Sequence, residues 1–147
     1  MTAGSAPVDD GYCIGCGPLS EIGLKMTFEA AADESVTSRV VIPAAFQGWR
    51  GVTHGGIVAL LLDEAMAYAA GAAGVIGVTG DMKMRFRQAV PIGEPVVVRG
   101  KVAWRRRNVL SIEASVCDER GKLLASGVGS FLSRGTVEPG QRFARLK

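Results

Sequence analysis

The 147-residue chain has one histidine, His54, so a Ser-His-Asp triad or a histidine-rich catalytic zinc site has very little material to work with. Cysteine is nearly as scarce. Cys13, Cys16 and Cys117 are an odd number and too few for a disulfide framework, which agrees with a reducing compartment. Long apolar runs are missing too: the longest uncharged stretch, residues 65–80, has 16 residues and four evenly spaced glycines. A spanning helix needs roughly 20 apolar residues, so no membrane span is expected. Residues 1–10 lack both the basic and the apolar regions of a secretory signal, and a cytoplasmic protein is expected. Nor does one sign of charge dominate, because 17 basic against 14 acidic residues leave +3, which does not suggest a nucleic-acid binder. What is present in quantity is hydrophobic side chains, 48% against 21% charged, and 20 glycines. At this length that suits one domain with a real core, and it excludes disorder and a coiled coil.

From Leu24 to Ala30, Leu24, Met26 and Phe28 alternate with Lys25, Thr27 and Glu29, and this period of two predicts a strand with one wet face. Asp33 marks a turn, and residues 35–42 read as the partner strand of a hairpin, ended by Pro43. Residues 57–73 are rich in Leu, Ala and Met and predict a helix of about 16 residues. Its apolar positions run nearly all the way round, so it must be buried on most sides, with a sheet curled about it. Four more strands are expected over residues 78–87, 95–106, 109–117 and 122–132, joined by turns short enough for antiparallel neighbours. The tail from Ser133 onward shows no pattern. The chain divides into an N-terminal segment with a Cys-x-x-Cys pair (1–22), one α+β domain (23–133) and a basic tail (134–147).

The order strand, strand, long buried helix, four strands matches the hot-dog fold. The run His54-Gly55-Gly56-Ile57-Val58-Ala59-Leu60-Leu61-Leu62-Asp63 resembles acyl-CoA thioesterases of the phenylacetyl-CoA thioesterase-like group, in which His-Gly-Gly opens the central helix and an acidic residue follows nine positions after the histidine. Cys13-Ile14-Gly15-Cys16-Gly17 followed by Gly23-Leu24-Lys25-Met26 is similar to the N-terminal segment of one branch of that group, so the likeness covers roughly residues 12–132. The resemblance implies an antiparallel sheet wrapped around a long helix. It also implies hydrolysis of acyl-CoA without metal or other cofactor, by a homodimer or a dimer of dimers whose strands continue across the subunits.

The residues suit that chemistry. Thioester hydrolysis builds negative charge on the carbonyl oxygen, and the first N–H groups of a helix are unpaired donors at its positive end. Gly55 and Gly56 offer such donors with no side chain in the way, and the resemblance places the principal one at Gly55. The alternative is that the glycines only allow tight packing of the helix start. Asp63 is the candidate base or nucleophile, since a carboxylate within an apolar helix needs either a partner or a wet cavity. Helical phase groups it with Gly56, Ala59, Met66, Ala67 and Ala70, and groups Glu64, read as structural, with Ile57, Leu60, Leu61 and Tyr68. Gly55 and Asp63 are eight residues apart, about 12 Å along a helix, too far for both to reach one thioester carbon. Two antiparallel helices across a twofold axis would bring each Asp63 opposite the other Gly55.

Of the remaining candidates, His54 is implied to shape the loop, and Thr79 matches a position where relatives place a hydroxyl that holds water or substrate. Gln47, seven residues before His54, is a candidate for the substrate carbonyl. Between Lys83 and Arg107 lie eight basic residues against Glu94 alone, a local +7 that fits the phosphates of CoA, with Arg105, Arg106, Arg107 and Asn108 the strongest group. The plain reading is that these are the wet face of a sheet. Cys13, Cys16, Cys117 and His54 make four potential zinc ligands, but no second closely spaced pair exists, and a structural loop rather than a metal site is expected. Two rivals share the fold: a non-catalytic acyl-CoA binding module, and a dehydratase whose His and acid arrangement is not seen.

Overall fold

The computed structural model describes residues 7–137. The expected tail beyond residue 137 and the first six residues of the N-terminal segment lie outside them. The elements are β1 (Glu29–Ala30), β2 (Val36–Val41), a short 3-10 turn (Ala44–Phe46), α1 (Gly55–Ala72), β3 (Val75–Phe86), β4 (Pro95–Arg106), β5 (Val109–Asp118) and β6 (Leu123–Thr136). The strands form one antiparallel sheet in the order β1-β2-β4-β5-β6-β3, with α1 packed against it. This is the hot-dog arrangement expected from the element order. Leu61, Leu62 and Met66 of α1 are fully buried in one core with Val98, Ile112 and Val116 of the strands. Each such side chain contributes about 1.5–3 kcal/mol through removal from water. By length and composition α1 could also span a membrane, but here it is the core helix, with most of its residues enclosed by the fold.

Glycine sets how closely α1 lies on the sheet. A Cβ at Gly100 of β4 would run into the Ala65 carbonyl of the helix, and one at Gly129 of β6 would lie 2.7 Å from the Met66 sulfur. Backbone approach of this kind is a use of glycine in strands that the alternation pattern does not reveal.

The expected strand over residues 24–30 is corrected to Glu29–Ala30. The side chains still alternate, with Met26 buried and Lys25 and Thr27 exposed. However, Lys25 takes φ +50°, and the amides of Leu24 and Met26 donate to the carbonyls of Ile14 and Gly15. The segment therefore bonds to the N-terminal loop and not to β2. The helix begins two residues earlier than expected, at Gly55. β3 and β6 extend each other, Val75 pairing with Thr136, so Ser133 to Thr136 are strand and not patternless tail. Register shifts between Ile76 and Gly77 and between Thr79 and Asp81 break the alternation there, which is why the period of two gave a late start for β3.

Candidate active site

The start of α1 is held by a loop that folds back on itself. His54 N–H donates to the Phe46 carbonyl at 3.0 Å, Thr53 N–H to Val90 at 2.8 Å, and Gln47 bridges to Thr53. His54 is the N-cap of the helix, with φ −57° and ψ 138°, and its Nδ1 accepts from the Gly56 amide at 2.9 Å. An imidazole acting as cap acceptor must carry its proton on Nε2. That bond engages the Gly56 amide, so of the two candidate donors the Gly55 N–H is left with no protein acceptor among the described residues.

The two glycines answer to different constraints. A Cβ at Gly56 would press on His54 Nδ1 at 3.1 Å, so the capping imidazole would have to give by a few tenths of an ångström. At Gly55 a Cβ would meet only the Phe86 ring, at 3.9 Å, an ordinary contact. Nothing among the described residues requires glycine at 55. The Gly55 backbone borders a cleft of about 320 Å³ lined also by Thr53, Val58, Phe86, Arg87 and Val90. Arg87, counted in the sequence only as part of a basic segment, thus stands beside the helix N-terminus.

Asp63 is half-buried and Thr79 Oγ1 donates to its Oδ1 at 2.6 Å. The unpaired residue of the adjacent bulge is Gly80, and bulges of this kind re-aim neighbouring side chains. Along α1 the residues not fully buried are Gly55 and Gly56, which are exposed, and Ile57, Ala59, Leu60, Asp63 and Ala67, which are half-buried. The face expected for Asp63 therefore loses Met66 and Ala70, both buried, because Met66 points into β6 at Gly127 and Gly129 and the last turns of the helix are enclosed. β3, twelve residues long, is an edge of the sheet, and its outer backbone groups face away from every described strand.

Glu64, one residue on, turns the other way and is 9% exposed. Its Oε1 accepts from Cys13 Sγ at 3.2 Å. Burial first, and then the Glu64 charge, push the neighbouring Cys16 thiol up to about 12, so Cys16 is a protonated thiol near neutral pH. The sequence signal for this partnership was the Cys-x-x-Cys pair, but its link to a helix carboxylate 51 residues away was not legible. Of the zinc combination weighed from sequence, His54 is committed to the helix cap and Cys117 sits on β5, away from the pair.

Gln47 is exposed and its Oε1 accepts from the Gly51 amide at 3.2 Å, closing the Trp49 turn. The Arg105, Arg106, Arg107 and Asn108 turn is exposed, with Arg107 at φ +55°. Register places Arg105 in one cross-strand row with Leu110, Phe131 and Thr79. Three strand spacings, about 14 Å, separate Arg105 from Thr79. A second basic group, Lys83, Arg85, Arg87, Arg99 and Lys101, lines a groove of about 750 Å³ on the opposite, outer face of the sheet. The basic segment is thus two clusters on two faces, which meet the Gly55 cleft only through Arg87.

Residues 50–125 match the family model of the Thioesterase superfamily. Acyl-coenzyme A thioesterase 13 of Mus musculus is 26% identical over 106 residues, covering 70% of this chain and 76% of that protein. Among solved structures, a thioesterase superfamily protein superposes with a TM-score of 0.80 at 26% identity over 84% of this chain, which spans 61% of the length of that longer one. The E. coli PaaI protein from the phenylacetic acid degradation operon superposes with a TM-score of 0.71 at 18% identity, over 78% of this chain and 83% of its own.

Proposed function

The chain belongs to the thioesterase superfamily, and from that premise we propose that it hydrolyses the thioester of an acyl-CoA to the free acid and CoA. The observation that carries the reading is the division of labour at the helix start: His54 occupies the Gly56 amide, while the Gly55 amide has no protein acceptor among the described residues and Gly55 lines a cleft. An N–H at the positive end of a helix, held rigid before substrate arrives, is suited to an oxyanion, and one such donor is worth roughly 3–4 kcal/mol in known cases.

Asp63 supplies the carboxylate, acting as general base on water or as nucleophile. In the first route it takes a proton from water as the oxygen attacks the carbonyl carbon. The oxyanion then collapses, the C–S bond breaks, and the proton passes to the departing CoA sulfur. Thr79 holds one carboxylate oxygen and leaves the other free for that work. Because Gly55 and Asp63 of one chain are about 12 Å apart along α1, the site is completed by a second copy, Asp63 opposing the partner subunit's Gly55. The uncovered stripe of α1 and the long β3 edge support this arrangement: they are the surfaces a twofold partner would cover. Arg105 to Asn108, or Arg87 beside the cleft, would hold the CoA phosphates, and Gln47 and His54 shape the loop between them. Three free cysteines fit a cytoplasmic setting.

The test is free-thiol release from a panel of aliphatic and aromatic acyl-CoAs, with Asp63→Asn as the discriminating variant. Hydrolysis should collapse while acyl-CoA still binds. Unchanged turnover in the variant would refute the assignment to Asp63, and binding without turnover by the parent across the whole panel would establish a non-catalytic acyl-CoA binding protein instead.

A further inference from the structure

The N-terminal loop is constructed so as to lay two thiols on a buried carboxylate, and we propose that Cys13, Cys16 and Glu64 bind a thiophilic divalent cation, zinc(II) in kind. The ligand atoms, two Sγ and one carboxylate oxygen, all lie within 4.8 Å of one another. With Zn–S about 2.3 Å and Zn–O about 2.0 Å, a tetrahedral site has edges of about 3.5–3.8 Å. Cys13 Sγ and Glu64 Oε1 at 3.2 Å need open by only about 0.3 Å to reach that edge, and the other separations, all within 4.8 Å, need close by no more than about 1 Å.

Three features are independent of that proximity. The loop is closed by the Gly17 amide donating to the Cys13 carbonyl at 2.7 Å, which turns residues 13 and 16 to one side. Gly15, between the two cysteines, lies against the Glu64 carboxylate so closely that a Cβ there would collide with it. Glu64 itself is 9% exposed, and its Oε2 is buried with no hydrogen-bond donor. A buried carboxylate met by the weak S–H donors of Cys13 and Cys16 and left with a bare oxygen is expensive unless a positive charge answers it. The ion pairs among the described residues, Arg39 with Glu119 and Lys101 with Asp33, do not supply one. A dication would, displacing the two thiol protons to solvent as it binds, and two thiolates with one carboxylate are donors zinc accepts, with a fourth position left for water. Bound there, the ion would pin the N-terminal segment to α1 one residue from Asp63.

The test uses the full chain, stripped of metal and kept reduced, titrated with zinc(II) against a chromophoric chelator and with cobalt(II) followed by absorption. The expected result is one ion per chain and a thiolate-to-cobalt charge-transfer band. Cys16→Ser should abolish the band, and Glu64→Gln should weaken zinc at least about tenfold, since even outer-shell losses cost metal sites about 10–100-fold. Cys117→Ser should change neither. Absence of the charge-transfer band in the parent overturns the proposal, as does zinc affinity that survives Glu64→Gln unchanged. The parent spectrum and the near-isosteric Glu64→Gln decide the matter even if Cys16→Ser does not fold. Because the readout is metal binding, its failure leaves the thioesterase reading untouched.

Discussion

Thr79→Val removes a hydroxyl while keeping a β-branched side chain on β3, and it isolates what that hydroxyl does for Asp63. The 2.6 Å bond from Thr79 Oγ1 to Asp63 Oδ1 has an ionisable acceptor, and hydrogen bonds to charged groups contribute about 1.5–3 kcal/mol. Asp63 is half-buried, so water can replace part of the interaction and the lower end applies. If the bond serves to aim the carboxylate, about 1.5 kcal/mol of transition-state stabilisation is lost, roughly a tenfold fall in kcat, with KM unchanged. Folding stability should fall by no more than about 1.5 kcal/mol, since the same bond is present in the folded ground state. The assay is free-thiol release on an acyl-CoA turned over by the parent, repeated in an Asp63→Asn background. Acting through Asp63, Thr79→Val should cost less than about twofold there, because residues in direct contact are not additive. An equal tenfold loss in both backgrounds would mean that Thr79 acts on water or substrate by itself. No loss in either would mean that the hydroxyl is idle and the reasoning wrong.

Three further outcomes follow from other parts of the fold. His54→Ala removes the N-cap of α1 and should lower stability by about 1 kcal/mol in urea unfolding, with most of it restored by His54→Asn, whose side chain can also cap; equal losses in both variants would show that the cap is not the cause. Gly100→Ala should destabilise by about 1–3 kcal/mol, because the new methyl meets the Ala65 carbonyl, a backbone atom that cannot swing aside; a neutral or stabilising effect would contradict the close approach. At the β1–β2 turn, hydrogen bonds from Ser35, with Lys101 nearby, hold the Asp33 carboxyl below its ordinary 3.8, at about 2. A depressed folded-state value means a stabilising contribution present above about pH 3.8 and lost as the pH falls toward 2. The acid limb of a pH-stability profile should therefore be shallower in Asp33→Asn, and an unchanged limb would exclude the contribution.

Elements with one dominant period were legible from residues alone. β4 falls on the expected residues 95–106, where Val96 and Val98 point inward and Arg99 and Lys101 outward, and the helix is where a long apolar run without proline placed it. Failures came where partners outside the segment decide. Leu24 and Met26 alternate like a strand, yet their amides are taken by the N-terminal loop. β3 begins early because β6 extends to meet it, and no local pattern announces a pairing of Val75 with Thr136. At the candidate site, His54 and Thr79 became candidates through the family resemblance, and neither the His54 cap on Gly56 nor the bond from Thr79 to Asp63 was read from the residues themselves. Nor were the apposition of Cys13 and Glu64 and the position of Arg87 beside Gly55, because each depends on how distant segments pack.

Adjacent carboxylates in an otherwise apolar helix look like a single anomaly, but a rotation of 100° separates them, and that is enough to give them opposite surroundings. Asp63 falls on the stripe the sheet leaves bare, where a short side chain meets Thr79 and remains open to a second copy or to substrate. Glu64 falls under the N-terminal loop, where one more methylene carries its oxygens to Cys13 across the gap that Gly15 leaves. The two environments are coupled through helix phase: fastening Glu64 to the loop stops α1 from turning about its axis, and so sets the direction in which Asp63 faces. The same reasoning applies to the start of the helix, where the His54 cap fixes the orientation of the Gly55 N–H. The proposed site, divided between two chains, would tolerate little rotation in either, because an error in helix phase at Asp63 would meet a second error at the partner subunit's Gly55. That gives a physical reason for a small domain to hold one helix by a capped N-terminus, glycine contacts on β4 and β6, and a cysteine loop on its far flank.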